Sequence, residues 1–270
     1  MPPLSRAAPL ALILTLAACA SQPVMQDGIR VNDPYEAQNR RVHAFNKALD
    51  RRVVGPVSGL LPGGGDGPGT GGATALVINA GTNLSLPVKV VNSLLQGRPE
   101  PAIRNFFRFA VNTTLGIGGV LDPAGQDFGL PEVDTDFGET LAVWGVPEGP
   151  YLELPVLGPS TGRDAAGKVG DLLIDPLYHL LHRDGAWAVF GLRVASKAGE
   201  RARFGDTVDS VLQDSADSYA QLRLIWLMHR RHELNEGGAE IDPYADTAAD
   251  PGADPAADPA ATDPIDPYAP

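Results

Sequence analysis

The sequence predicts a mainly α-helical protein, and three observations carry that expectation. Ile103, Phe106, Phe107, Ala110, Val111 and Leu115 recur at helical spacing, with Arg104, Asn105, Arg108 and Asn112 on the opposite side. Asp33 and Pro34 followed by Glu36 have the form of a helix start. No alternation of strands with helices is visible, so an α/β sheet has nothing to be built from.

Taken in order, the chain begins as an exported protein. Arg6 precedes an apolar stretch over residues 10–18, which is too short to span a bilayer, and the run Leu16-Ala17-Ala18, ending in small residues, leads into Cys19. This is the plan of a lipoprotein signal over residues 1–18, with Cys19 as the lipid-anchored first mature residue. The alternative is an ordinary signal peptide that happens to contain a cysteine; a mature N-terminus without lipid, by intact mass, would establish it. Cys19 is the only cysteine. Once it is acylated, no thiol remains for a disulfide or a thiolate metal site, and the fold must rest on its own packing. Export also removes the cytosolic ATP pool, so no nucleotide-driven chemistry is expected and no cofactor is called for.

Residues 19–31 read as a polar tether without strong periodicity. The body follows over residues 32–236. Its first helix is expected over residues 34–50, with Asp33 as cap, Pro34 at the first position and Glu36 completing a capping box. Val42, Phe45 and Leu49 share one face of it, and Asn39, His43, Asn46 and Lys47 make the remainder unusually polar. Residues 62–72 are mostly glycine and proline and read as a flexible excursion. Gly67, Gly69 and Gly72 match a dinucleotide-binding spacing there, but no strand precedes them. An apolar segment over residues 73–97 is expected to break at Pro87 and to resume with Val88, Val91 and Leu95 up to a stop at Gly97. The helix at residues 103–115 then ends in Gly116-Ile117-Gly118-Gly119. Taken alone, such a helix reads as one facing a soluble core.

Residues 121–170 are dense in proline and glycine and read as structured but irregular. Two apolar arms between residues 172 and 190 meet at His182-Arg183-Asp184-Gly185, a helical hairpin. Helices over residues 187–204 and 207–236 complete the body. Residues 237–270 form an acidic, Asp-Pro-rich tail read as disordered. Residues 236–270 hold nine carboxylates and no Lys or Arg; removing those nine charges from the total of −12 leaves only −3 for the rest. No clustered basic face is offered, which excludes a nucleic-acid partner.

Two strings invite a chemical reading. Gly158-Pro159-Ser160-Thr161-Gly162 matches the nucleophile elbow, with His179 and His182 downstream as conceivable bases. Pro155 and Pro159 crowd the approach and no strand is visible before the serine, so an esterase or phospholipase using Ser160 is the alternative, not the main reading. His229, His232 and Glu233 suggest metal ligands, but Arg230 and Arg231 beside them oppose a cation; a solvated basic helix end fits better.

Taken together, the lipobox, the run Asn32-Asp33-Pro34-Tyr35-Glu36-Ala37-Gln38-Asn39-Arg40, Ala44-Phe45-Asn46 and Asn92-Ser93-Leu94-Leu95-Gln96-Gly97 resemble the MlaA (VacJ) family of outer-membrane lipoproteins. Later blocks extend the resemblance. They run from Arg108 through Asn112 and Gly116 to Gly119, then Leu121-Asp122-Pro123-Ala124, Phe137-Gly138-Glu139-Thr140-Leu141, Gly149-Pro150-Tyr151 and Glu153-Leu154-Pro155 through Arg163-Asp164. The last block absorbs Ser160 into text that is not catalytic in the family. The resemblance covers nearly the whole mature body; the Gly-rich stretch and the acidic tail depart from it.

What the resemblance implies is a non-enzymatic ring of amphipathic helices lying in one leaflet of the outer membrane, anchored on its periplasmic side and beside trimeric porins. Misplaced outer-membrane phospholipids would leave the outer leaflet through a central polar channel for a periplasmic MlaC-like carrier, which maintains lipid asymmetry. A structural lipoprotein that braces porins is a further alternative. Apolar residues would then face outward and polar ones inward, the reverse of a soluble body. The apolar arms around residues 172–190 are expected to gate the channel as a hinge.

Overall fold

The computed structural model describes residues 24–26, 29–56 and 72–235. Cys19, the signal, nearly all of the Gly-rich stretch and the acidic tail lie outside the described residues. The chain divides after Arg230, and the described part of the second unit is only residues 231–235, the last turn of the final helix.

The tether holds more order than its composition suggests: β1 (Val24–Gln26) and β2 (Ile29–Val31) pair antiparallel, with Val24 opposite Val31. Helix α1 (Glu36–Leu49) follows and continues into a π-helical turn (Asp50–Val54). It begins later than expected, with Tyr35 at the cap position and no side chain capping it. Asp33 is not the cap, because stronger donors claim it. One carboxylate oxygen accepts from Asn39 at 2.8 Å and the other from the Tyr219 hydroxyl and the Arg223 guanidinium.

Helix α2 (Ala73–Leu95) runs straight through Pro87 and corrects the expected break. Proline removes one N–H, and a helix packed on both sides can absorb that loss. Here α2 is flanked by α3 (Pro99–Thr114) and α8 (Arg183–Arg203). The α8 contact is close: a Cβ on Gly81 would lie 2.3 Å from Ser196 Cβ, and the Ser196 hydroxyl donates to the Ile78 carbonyl at 3.2 Å. The expected stop at Gly97 is in place. Gly97 has φ +71°, its N–H bonds Leu94 O, and Arg98 N–H reaches Ser93 O at 2.9 Å.

The region expected to lack regular structure is a succession of short elements: α4 (Pro123–Gln126), α5 (Phe137–Val143), the antiparallel hairpin of β3 (Tyr151–Leu154) with β4 (Gly158–Thr161), and the start of α6 (Gly162–Ile174). Elements of four to seven residues are too short for a period to declare itself. Each helix here has a side-chain cap instead. Asp122 accepts from Gly125 N, Asp136 from Glu139 N and Thr161 from Asp164 N. The apolar hairpin is present in altered form: α7 (Pro176–Leu180) ends at Leu181, and Arg183 to Gly185 lie inside the first turn of α8 rather than in a turn. The last expected helix is two, α9 (Gly205–Leu212) and α10 (Ser218–Asn235).

Helix α5 lies on α6 across glycines. A Cβ on Gly167 would stand 2.4 Å from the Gly138 backbone nitrogen, and one on Gly170 would stand 2.3 Å from the Phe137 ring. Gly167→Ala therefore forces the two helices apart and is expected to cost about 1–3 kcal/mol, read as a lowered thermal midpoint. Gly191→Ala, which meets nothing within 4 Å on the exposed side of α8, should be neutral or stabilising.

The burial pattern is inverted. On α3, Asn105 is 0% exposed, with Arg108 and Asn112 buried beside it, whereas Phe106 is 54% exposed and Ile103, Phe107 and Leu115 are equally open. On α1, Asn39 and His43 are buried and Phe45 is exposed. The reading of α3 as a helix facing a soluble core is thus reversed. Among the described residues, one apolar cluster forms a conventional core, Val31, Tyr151, Tyr219 and Leu227 with Trp226 against it, and Leu86 and Val189 are buried elsewhere. No helix among the described residues is long and apolar enough to cross a membrane.

Candidate functional site

The interior is held by polar side chains that each satisfy several partners, and three groups of them can be followed. In the first, Asn39 donates to Tyr151 O at 3.1 Å and accepts from Glu153 N at 3.0 Å, so one amide pairs with β3 as a neighbouring strand would. Asn46 does the same further along, donating to Leu154 O at 2.9 Å and accepting from Val156 N at 2.8 Å. His43 stands between Ser218 Oγ at 3.0 Å and Glu153 Oε1 at 3.4 Å, and the Tyr151 hydroxyl donates to Glu153 Oε2 at 2.6 Å. Burial, with the Glu153 charge beside it, pushes the Tyr151 hydroxyl far above its ordinary pKa. The positions Asp33, Asn39, Asn46 and Tyr151 thus meet in one cluster. Pro34 lies in the turn before α1, and Phe45 and Pro155 face outward.

In the second group, α3 fixes the loops that follow it. Asn105 donates to Val133 O at 2.8 Å and accepts from Val133 N at 3.1 Å. Asn112 donates to Asp122 Oδ1 at 2.8 Å and accepts from Ala124 N at 3.0 Å, while Arg108 bonds Asp122 at 2.7 Å and also the Leu130 carbonyl. Pro123 opens α4 at its first position. Gly116 and Gly119 are needed for space: a Cβ would meet Asn112 O at 2.5 Å and the Asn83 amide at 2.3 Å, respectively.

The third group joins α2, α5, α6 and α10. Gln96 donates to Thr135 at 2.7 Å and Thr140 at 3.0 Å; the Thr140 hydroxyl donates to Asn92 Oδ1 at 2.9 Å, and Asn92 to Asp171 at 2.7 Å. Arg230 reaches Asp136 at 2.7 Å and Asp164 at 2.8 Å, and a Cβ on Gly138 would collide with the Asp164 carboxylate. Arg163 is buried next to Asp164 and donates to Val146 O at 3.4 Å. Burial works to raise the Asp164 pKa, but the Thr161 hydroxyl and the Arg230 charge outweigh it and hold the carboxylate below its usual range. Arg230 is therefore an internal tie, not part of a solvated basic helix end.

Asp171 behaves in the opposite way. Burial pushes its carboxyl up to about 6, against hydrogen bonds from Asn92 and Phe137 N, with the Asp136 and Asp175 charges adding to the rise. A pKa above the unfolded value means that this group favours the folded state below about pH 4 and loses that contribution as the pH rises through 6. Asp171→Asn is expected to gain stability relative to the parent between pH 4 and 7, by up to about 3 kcal/mol, measured as the difference in unfolding midpoints.

Ser160 lies within a strand that the sequence did not show, β4, and α6 follows it. That strand belongs to a two-stranded hairpin rather than an α/β sheet. Ser160 is fully buried, with Lys168 Nζ at 3.4 Å, while the exposed His179 ring bonds Leu173 O at 2.6 Å. Among the described residues, Ser160 bonds Thr161 O and Lys168 and no histidine. Among the described residues, no group of three His, Cys, Asp or Glu is placed to hold a metal ion.

Residues 31–233 match the family described as MlaA lipoprotein, a range that runs from the end of β2 through α9 and most of α10. The chain belongs to this family. Relatives include the Escherichia coli K12 protein named intermembrane phospholipid transport system lipoprotein MlaA, 34% identical over 246 residues, 88% of this chain and 91% of the relative. A Rickettsia felis protein named only as uncharacterized is 36% identical over 76% of this chain and 78% of its own length. A solved structure described in the words "Structural basis for maintenance of bacterial outer membrane lipid asymmetry" superposes with a TM-score of 0.62 at 32% identity, covering 75% of this chain and 99% of that one. The MlaA resemblance expected from the motif blocks is therefore correct. Sequence reasoning passed over His43, Glu153, Arg108, Asp171 and Arg230 as partners; the available signal was the recurrence of Asn105, Arg108 and Asn112 on one face of α3.

Proposed function

We propose that this chain is the lipid-anchored outer-membrane component of an intermembrane phospholipid transport system. It takes misplaced phospholipid from the outer leaflet through a polar channel and passes it to a periplasmic carrier, without chemistry of its own. Trimeric porins are its expected neighbours in the membrane, and Cys19 its anchor. The observation that carries this reading is the inverted burial on α1 and α3, with phenylalanines outside and asparagines inside. A body that exposes many large apolar side chains, and of whose described helices none is long and apolar enough to span, is suited to lie within one leaflet. The names of the relatives support the transport role.

The buried asparagines are engaged with loops, so headgroup passage falls to other polar groups than Asn105 and Asn112. The apolar arms of α7 and α8 remain the proposed gate. They are tied at their base, where Arg193 bonds Asp175 and Leu84 O and stacks over Tyr178 at 5.4 Å. The reading is tested on intact cells with a headgroup-reactive label that cannot cross the outer membrane. Deletion of the gene should raise surface phospholipid, and the parent and Ser160→Ala proteins should both restore it. Unchanged surface lipid on deletion would turn the reading to a structural lipoprotein; failure of Ser160→Ala alone would restore the esterase.

A further inference from the structure

The outward face of α3 carries a groove that the polar interior does not use. Its volume is about 430 Å³. Ile103, Phe107 and Val111, spaced along one stripe of α3, form the floor, and Phe128 and Leu130 from the segment after α4 form the wall. Glu100 and Arg104 close the N-terminal end as an ion pair one helical turn apart, Glu100 exposed and Arg104 half-buried.

The wall is held from within. Arg108 bonds the Leu130 carbonyl, Leu130 N–H reaches Ala124 O at 2.9 Å, and Asn105 grips Val133 from both sides. Gly129 turns the segment with φ +61°. Buried polar bonds thus keep Phe128 and Leu130 apart from the phenylalanine side of α3, and the groove cannot simply collapse.

We propose that this groove seats one acyl chain of a zwitterionic phospholipid, with the headgroup phosphate on Arg104 and its ammonium on Glu100. Charge and shape both select that occupant. The lining is apolar everywhere except at one end, where a positive and a negative group stand side by side. A headgroup carrying one phosphate and one amine complements both, whereas a purely anionic headgroup meets the Glu100 carboxylate as a like charge. A volume of this size lies in the range of sites for small apolar ligands. The seat lies on the exterior of α3, on the opposite side of the helix from Asn105 and Asn112, so its occupant is a resident lipid and not cargo in transit. The proposal rests on the reading that the apolar exterior lies in lipid.

The test uses the full-length lipoprotein in vesicles of phosphatidylethanolamine, doped with a phosphatidylethanolamine bearing a photoreactive group near the end of one chain. Cross-linked residues are mapped by mass spectrometry. Labelling is expected at Phe128 and Leu130, and filling the groove by Val111→Trp, or from its other end by Ile103→Trp, should reduce it about tenfold while leaving labelling of Leu172, Leu173 and Trp187 unchanged. The same probe on phosphatidylglycerol should label Phe128 and Leu130 less, and Glu100→Gln should narrow that difference. Labelling of Phe128 and Leu130 that neither tryptophan alters would mean ordinary bilayer contact and overturn the seat. Equal labelling by both headgroups in the parent would overturn the headgroup assignment. No labelling on any apolar face, Leu172 and Trp187 included, would overturn the membrane reading beneath it.

Discussion

Arg230→Ala is expected to lower the stability of the fold by about 3 kcal/mol, the lower end of the range for depriving a buried charge of its partner, because Asp136 is partly exposed and Asp164 keeps Thr161. Among the described residues, Arg230 is the cation that bonds both Asp136 and Asp164, and Asp164 is buried. Those two carboxylates sit at the starts of α5 and α6, so the loss loosens the caps of both helices along with the tie to α10. Arg230→Lys should recover only part of the loss, because a single ammonium cannot match a guanidinium fork directed at two acids. Thermal unfolding of the purified protein in detergent, followed by helical circular dichroism, checks the order parent, lysine, alanine. An alanine variant as stable as the parent would show that the charges are reached by water.

The second large effect concerns the exterior. Phe106→Glu combined with Leu180→Glu changes two exposed side chains, and on a water-facing surface such changes alter stability by no more than about 0.5 kcal/mol. In hydrocarbon each new charge costs about 2.5–3.5 kcal/mol. Partition of the chain into vesicles, with Cys19 replaced by serine so that no acyl anchor contributes, should therefore fall more than about a thousandfold, at a tenfold per 1.4 kcal/mol. Helical content should be unchanged. Equal partition of parent and variant would place Phe106 and Leu180 in water.

Much of the fold was legible because its long helices obey simple periodicity. The α3 stripe, the Gly97 stop and the family blocks were readable directly from residue order. What periodicity cannot supply is the sign of the environment: the spacing of Phe106 and Asn105 is the same whether the phenylalanine faces a core or lipid. Pro87 misled because the expectation weighed one missing N–H and not the packing of α2 between α3 and α8. The hairpin of β3 and β4 escaped because each strand has four residues, with its order supplied by Asn39 and Asn46 from a distant helix. Asp33 was assigned a local role, and its actual partners Tyr219 and Arg223 lie about 190 positions away in the chain, beyond any local signal.

The asparagines that grip loop backbones have a thermodynamic consequence. A body held together by such amide pairs, with its apolar side chains already outside, has little hydrocarbon surface left to expose when it comes apart in a micelle. The heat capacity increment that curves the stability profile of water-soluble proteins comes chiefly from such exposure. Calorimetry in detergent should therefore give an increment well below the ordinary 12–15 cal/mol/K per residue. Stability would then decline almost linearly with temperature, without the cold-side downturn that a buried apolar core imposes.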